Sequence, residues 1–247
     1  MKKLFQKFLG FSIALVMVIL SGTSAFAATI QTTNGDLETV LTEDIREREQ
    51  KGWKYISEHK DEILAEIEEY SNKAAVPFSV SYGGFQYLDG DILVTKSTSL
   101  NGATGHAGII VGTKVLDIHP DNPGDHPTTM TLKTWFSRFP ETIVVRYNKG
   151  TTIPKKAADY GNSFYINGDG ADNTYSIISS ITSRKKDYCS SLVWKCYYFG
   201  ANFNFKIQEG TVSGATWVTP SFIIPTDFIT FREYNNFKIV HSVDWDW

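Results

Sequence analysis

Between residues 91 and 147 the chain carries four short runs rich in β-branched and apolar residues. They are Asp91-Ile-Leu-Val-Thr, His106-Ala-Gly-Ile-Ile-Val, Lys114-Val-Leu-Asp-Ile-His and Thr142-Ile-Val-Val-Arg-Tyr, each bounded by turn residues. Runs of this length and composition read as strands. Connections this short suit antiparallel neighbours, because a parallel crossover needs a dozen residues or more. Gly83-Gly84 and Asp89-Gly90 punctuate the same region with turns. A small antiparallel sheet or partial barrel is therefore the expected centre of the fold. With 42% hydrophobic residues the chain can bury a core around it.

Helices flank this strand region. Thr42 followed by Glu43 and Asp44 reads as a capped helix start, with acids placed against the helix dipole. The periodic placing of Trp53, Ile56, Ile63, Leu64, Ile67 and Tyr70 predicts one docking helix to about Ala74, closed off by Pro77. Lys155 to Phe164 predicts a short helix, and the Asn-Gly-Asp-Gly within 166–173 predicts a loop. That loop lacks the alternating acids and closing Glu of an EF-hand calcium site. Cys189 to Phe199 reads as an apolar helix that Gly200 ends. The tail, with Pro220 and Phe237-Lys-Ile-Val-His, is expected to add a strand and a turn. The fold class is α+β.

The first residues follow a different grammar. Lys2, Lys3 and Lys7 precede the apolar run Phe8–Leu20, and Ala25 and Ala27 occupy the small-residue positions before a cut. This is the pattern of a secretory signal cleaved after Ala27. The expected organisation is a signal peptide over 1–27, a polar segment and docking helix over 28–76, and a catalytic domain over 77–247. The product would be secreted or associated with the cell envelope, with no stable membrane insertion after cleavage. A net charge of −3 carries no basic signature of a nucleic-acid partner.

Two cysteines are present, Cys189 and Cys196. Seven residues along a helix span roughly 10 Å, beyond the ~7 Å between Cα atoms that a disulfide tolerates. Both are expected to be free thiols. Cys189 opens its helix, where the dipole and free N–H groups favour a thiolate and can hold an oxyanion. Cys196, in mid-helix among aromatics, reads as buried and inert. His106 stands at a strand start between glycines, a rigid seat with open space beside it. If Gly112-Thr113 turns the chain back, Asp117 and His119 share a face of the next strand, and either can orient the imidazole. The same groups could ligate zinc, although close ligand pairs such as Cys-x-x-Cys are missing. No metal and no cofactor is called for.

Taken in order, Gly90-Asp-Ile-Leu, His106-x-Gly-Ile-Ile-Val-Gly, Val115-Leu-Asp, Tyr188-Cys-Ser-Ser-Leu-Val-Trp-Lys and Pro225-Thr-Asp-Phe resemble the YiiX-like, circularly permuted papain-like enzymes. These stand with the NlpC-type cell-wall amidases and the lecithin retinol acyltransferase relatives. The histidine here precedes the cysteine, which is the permuted order. The resemblance implies Cys189 as nucleophile, His106 as base and Asp117 as the third group, with His119 as its alternative. It also implies oxyanion or substrate contacts from Tyr188 and Ser190, and a structural role for Asp91. The implied activity is that of a cysteine amidase or peptidase working through a thioester. The implied substrates are a peptidoglycan stem peptide or an acyl or lipid amide or ester. Two other readings stand beside it: a non-catalytic cell-surface binding module of the same fold, and a zinc-dependent hydrolase using the same cluster.

Overall fold

The structure, a computed structural model, describes residues 34–71, 79–99, 104–209 and 216–245. The proposed signal segment and the cut after Ala27 lie outside the described residues. The chain divides into two compact units, Met1–Glu43 and Asp44–Trp247, and the second holds the sheet and the site.

In chain order the helices and first strands are α1 (Asn34–Glu58), α2 (Lys60–Ser71), β1 (Ser79–Tyr82), β2 (Phe85–Leu88), β3 (Ile92–Ser99), β4 (Thr104–Val111), β5 (Lys114–Asp117) and β6 (Thr128–Thr131). They continue as α3 (Leu132–Arg138), β7 (Thr142–Tyr147), α4 (Thr152–Tyr160), β8 (Thr174–Tyr175), β9 (Lys186–Asp187) and α5 (Cys189–Lys195). The chain closes with β10 (Ile207–Glu209), β11 (Thr216–Val218), α6 (Asp227–Thr230) and β12 (Phe237–Val243). The fold is α+β and its sheets are mostly antiparallel.

The main sheet has six strands in the order β12-β7-β3-β4-β5-β6, every neighbouring pair antiparallel. It is an open sheet with β12 and β6 at its edges. Near-continuous apolar strands such as Ile92-Leu93-Val94 and Ile143-Val144-Val145 are fully buried, as expected where both faces are covered. One face carries Leu93, Ile110, Val115, Val144 and Val240, packed with Trp135 and Phe136 of α3. His106 lies on this same face, at period two from Gly108 and Ile110. The β4–β5 hairpin turns in two residues, with Val111 opposite Lys114. Gly112 supplies the positive φ of 61° that such a turn needs.

The expected single helix over 42–74 is two helices. α1 starts at Asn34 and the chain breaks at His59, with no glycine or proline at the junction. The buried stripe is Ile45, Glu49, Gly52, Ile56 and Ile63, whereas Leu64 of the anticipated stripe is 37% exposed. α2 packs on β12, where Glu66 accepts the Ile239 N–H and pairs with Arg232. The helix expected over 155–164 runs from Thr152 and widens into a π-helical stretch over Gly161–Ile166. The cysteine helix does the same, with α5 passing into π geometry at Cys196–Gly200. The tail holds more than the expected strand and turn: it adds the β10–β11 hairpin and α6 as well.

Candidate active site

The site is assembled on β4, β5 and α5, with α5 packed against both strands. Cys189 occupies the first position of α5 and is 3% exposed. Tyr188, extended just before it, donates its N–H to Ser191 Oγ at 2.8 Å, which fixes the entry into the helix. Leu192 N–H is the first to reach back to an intrahelical carbonyl, that of Tyr188. The N–H groups of Cys189 and Ser190 precede that bond, as in any first turn.

His106 and Asp117 are completely buried. His106 Nε2 lies 2.8 Å from Asp117 Oδ2. The other Asp117 oxygen accepts the Thr128 hydroxyl at 3.3 Å. The β4–β5 register, with Ile109 opposite Leu116, continues to set Asp117 opposite Gly108 and on the face of His106. The His-x-Gly spacing has a steric reason. A Cβ on Gly108 would fall 2.9 Å from the Trp135 ring and 2.7 Å from Val115. The bare glycine therefore admits Trp135, which stacks on the His106 imidazole at 5.4 Å. Phe139 and His119 close the remaining sides of the ring.

With Nε2 given to Asp117, His106 Nδ1 has no hydrogen-bond partner among the described residues. Cys189 is near enough to act electrostatically on this imidazole. Burial alone would lower the pKa of His106, but the Asp117 carboxylate and the Cys189 sulfur outweigh it and push it up to about 9. An imidazole in this setting keeps its proton at neutral pH.

Both residues expected to compete for the third position are therefore placed, and Asp117 is the one bonded to His106. His119 lies edge-on to the His106 ring, and its Nδ1 accepts the Asp121 N–H at 3.1 Å with Arg138 Nη2 at 3.3 Å. Burial, together with the charges of His106 and Arg138, lowers its pKa. Tyr188 and Ser190 meet a common partner. The Tyr188 hydroxyl accepts the Ile223 N–H at 3.2 Å, and Ser190 Oγ donates to the Ile223 carbonyl at 2.9 Å. Tyr188 also stacks on Phe222. Both side chains thus hold the 222–224 segment beside Cys189. Asp91 makes a buried two-point ion pair with Arg146, away from the sulfur.

A shallow, open cleft reaches Cys189, with Ile45, Ile177, Phe222 and Ile224 among its walls. Its lining is mainly apolar. Sequence reasoning missed these walls, and it missed what the 148–187 stretch does. From that stretch Tyr165 and Asn173 bond to the buried Asp187 carboxylate, which also holds Lys195 of α5 at 2.7 Å. Tyr175 and Ile177 then form one side of the cleft. Glu49 was missed as well, although an acid on the 45–52–56 apolar stripe was a readable signal. Cys196 is free, like Cys189, but fully buried, with its pKa raised well above the ordinary thiol value by desolvation. Among the described residues no group of three or more His, Cys, Asp or Glu side chains is arranged to hold a metal ion.

Residues 63–230 match the family described as lipoprotein N-acylation protein LnsA-like. A 30.3 kDa protein of Bacillus thuringiensis is 30% identical over 160 residues, a match spanning 62% of this chain and 57% of that one. The chain thus covers less than two thirds of that relative's length. Among solved structures, metalloprotein yiiX from Escherichia coli O157:H7 shares 20% identity, covers 49% of this chain and 70% of its own, and gives a TM-score of 0.38. The matched span includes His106, Asp117 and Cys189, and the chain belongs to the lipoprotein N-acylation protein LnsA-like family.

Proposed function

We propose that this chain is a thiol acyltransferase or hydrolase that carries an acyl group on Cys189 as a thioester. The observation that carries this reading is the line-up of a first-turn cysteine, an imidazole it perturbs, and a buried carboxylate on the far imidazole nitrogen. The Cys189 thiolate attacks the donor carbonyl, and the resulting oxyanion is met by the Cys189 N–H and the Tyr188 hydroxyl. That hydroxyl accepts from Ile223 N–H and keeps its own proton to donate, since burial holds its pKa far up. His106 gives its proton to the leaving group as the carbonyl–leaving-group bond breaks. It then takes a proton from the incoming amine or water, which attacks the thioester and frees the thiolate. In this reading the histidine strand ahead of the cysteine helix is the permuted papain-like order.

Of the two substrate classes the sequence suggests, the cleft favours the acyl chain over the stem peptide. Its walls of isoleucine and phenylalanine beside Cys189 suit hydrocarbon better than a charged peptide. The name of the family, lipoprotein N-acylation, points to the same chemistry and to an amine acceptor. With the export signal read from its first residues, the chain would work at the envelope.

The test is intact-protein mass spectrometry after incubation with an aryl ester of a fatty acid. A single acyl increment is expected, mapped to Cys189, released by hydroxylamine and missing from Cys189→Ala. Stem-peptide fragments are expected to leave no adduct. An acyl increment that survives in Cys189→Ala, or none at all beside cleavage of stem peptides, would overturn the reading.

A further inference from the structure

Glu49 is a buried carboxylate on α1, 2% exposed. Its two oxygens reach two separate parts of the site. Oε1 accepts the N–H of Gly105, the residue before His106, at 3.1 Å. Oε2 accepts the hydroxyl of Thr226 at 2.9 Å. Thr226 directly follows Ile223-Ile-Pro, the segment that walls the cleft and receives Tyr188 and Ser190.

The preceding residue reinforces the same join. Arg48 pairs with Asp227 at 3.1 Å, and that same carboxylate oxygen accepts the Ile224 N–H at 2.9 Å. One turn further along α1, Gly52 lets the helix close on Thr226, because a Cβ there would fall 2.2 Å from the threonine oxygen. On the strand side a Cβ on Gly105 would meet Glu49 and Trp53. The helix is therefore fitted to the strand start on one side and to the cleft wall on the other. Arg48, Glu49 and Gly52 of α1 lie ahead of the 63–230 span that matches the family.

We infer that Glu49 is a positioning residue: it ties the start of the His106 strand to the Ile223–Thr226 cleft wall, so that α1 sets where the imidazole and the thiol meet. The inference rests on the reading of Cys189 and His106 as a reacting pair. A packing contact alone has no need of a carboxylate here, since burial penalises it and pushes its pKa up to about 7, with Asp227 adding to the effect. Two donors from two elements, both aimed at the one carboxylate, offset that penalty. A shift of the imidazole by about 1 Å is enough to cost on the order of a hundredfold in a reaction that depends on alignment.

The test follows the rate of Cys189 alkylation by iodoacetamide against pH, together with the melting temperature. The variants are Glu49→Leu, Glu49→Gln and, as the reference, His106→Ala. Glu49→Leu is expected to lower the rate at pH 7 by about tenfold or more while leaving the rate at high pH near that of wild type. Glu49→Gln still offers an acceptor to Gly105 and is expected to recover most of the loss. Should Glu49→Leu fail to fold, Thr226→Val read in the same way decides, with a smaller loss in the same direction. If His106→Ala shifts the profile but neither Glu49→Leu nor Thr226→Val does, the positioning role is overturned and the pair stands. If His106→Ala leaves the profile of wild type unchanged, it is the underlying pair that fails.

Discussion

The two ends of the cysteine helix carry the same functional group in opposite circumstances. At its start, Cys189 faces an apolar cleft and an imidazole whose pKa it raises. Seven residues on, Cys196 is sealed, with Asp187 and Lys195 as its charged neighbours and its own pKa driven up by burial. Asp187 and Lys195 form a buried ion pair at 2.7 Å, just as Asp117 and His106 lie 2.8 Å apart. The difference is that Asp187 is fully committed. Lys195, Tyr165, Asn173 and Ser191 all bond to it. At the other end two imidazole nitrogens, His106 Nδ1 and His119 Nε2, are left over among the described residues. A buried polar cluster with every atom satisfied builds structure. One with an unsatisfied imidazole nitrogen beside a first-turn thiol can react.

Exchanging the two thiols separates these roles most strongly. Cys189→Ala is expected to abolish acyl-thioester formation, a loss of about 10³-fold or more, whereas Cys196→Ala should keep acylation within about threefold. Acyl-adduct mass spectrometry reads both. Next in size is Asp117→Asn, which keeps the shape and removes the anion. Acylation at pH 7 should fall by roughly ten- to a hundredfold, with the rate recovering at alkaline pH if the imidazolium is what was lost.

Lys195→Met tests the far end of the helix. Removing one partner of a buried pair typically costs about 3–5 kcal/mol, because Asp187 is left charged or must take up a proton. A clear fall in melting temperature is expected, with the pH dependence of Cys189 alkylation preserved in the folded fraction. The smallest effect is the pH dependence of stability at His106. Its pKa in the fold is raised to about 9 from an ordinary value of 6.5. The stability this contributes is whole below pH 6.5 and is lost as pH rises through 9. The melting-temperature advantage of wild type over His106→Gln should therefore be largest at pH 6 and shrink by pH 10. An advantage that grows with pH would contradict the assignment of the proton.

The sheet was legible because its strands alternate with turn residues at short spacing. The His-x-Gly and Tyr-Cys-Ser-Ser motifs were legible because their positions, at a strand start and a helix start, restrict what those residues can do. The break at His59 was not, since neither glycine nor proline marks it. The choice between Asp117 and His119 was not either: both follow the same period, and only the 2.8 Å contact separates them. The reach of Glu49 to Gly105 and Thr226 spans 56 and 177 residues, and no local pattern encodes contacts so distant. Tyr188 and Ser190 were singled out for their place beside the thiol, yet their hydroxyls turn to the Ile223 backbone, a partner that only folding brings near.

The most direct measurement is residue-resolved alkylation of the native protein by iodoacetamide across pH 5 to 10, read by mass spectrometry at both cysteines, in wild type and His106→Ala. The account predicts that Cys189 reacts well below pH 8 and that His106→Ala moves its onset toward the free-thiol value of about 8.5. Cys196 should stay unmodified until the protein unfolds. If Cys189 titrates like a free thiol in wild type, or reacts no faster than Cys196, the thiolate–imidazole pair does not exist and the acyl-transfer reading falls with it.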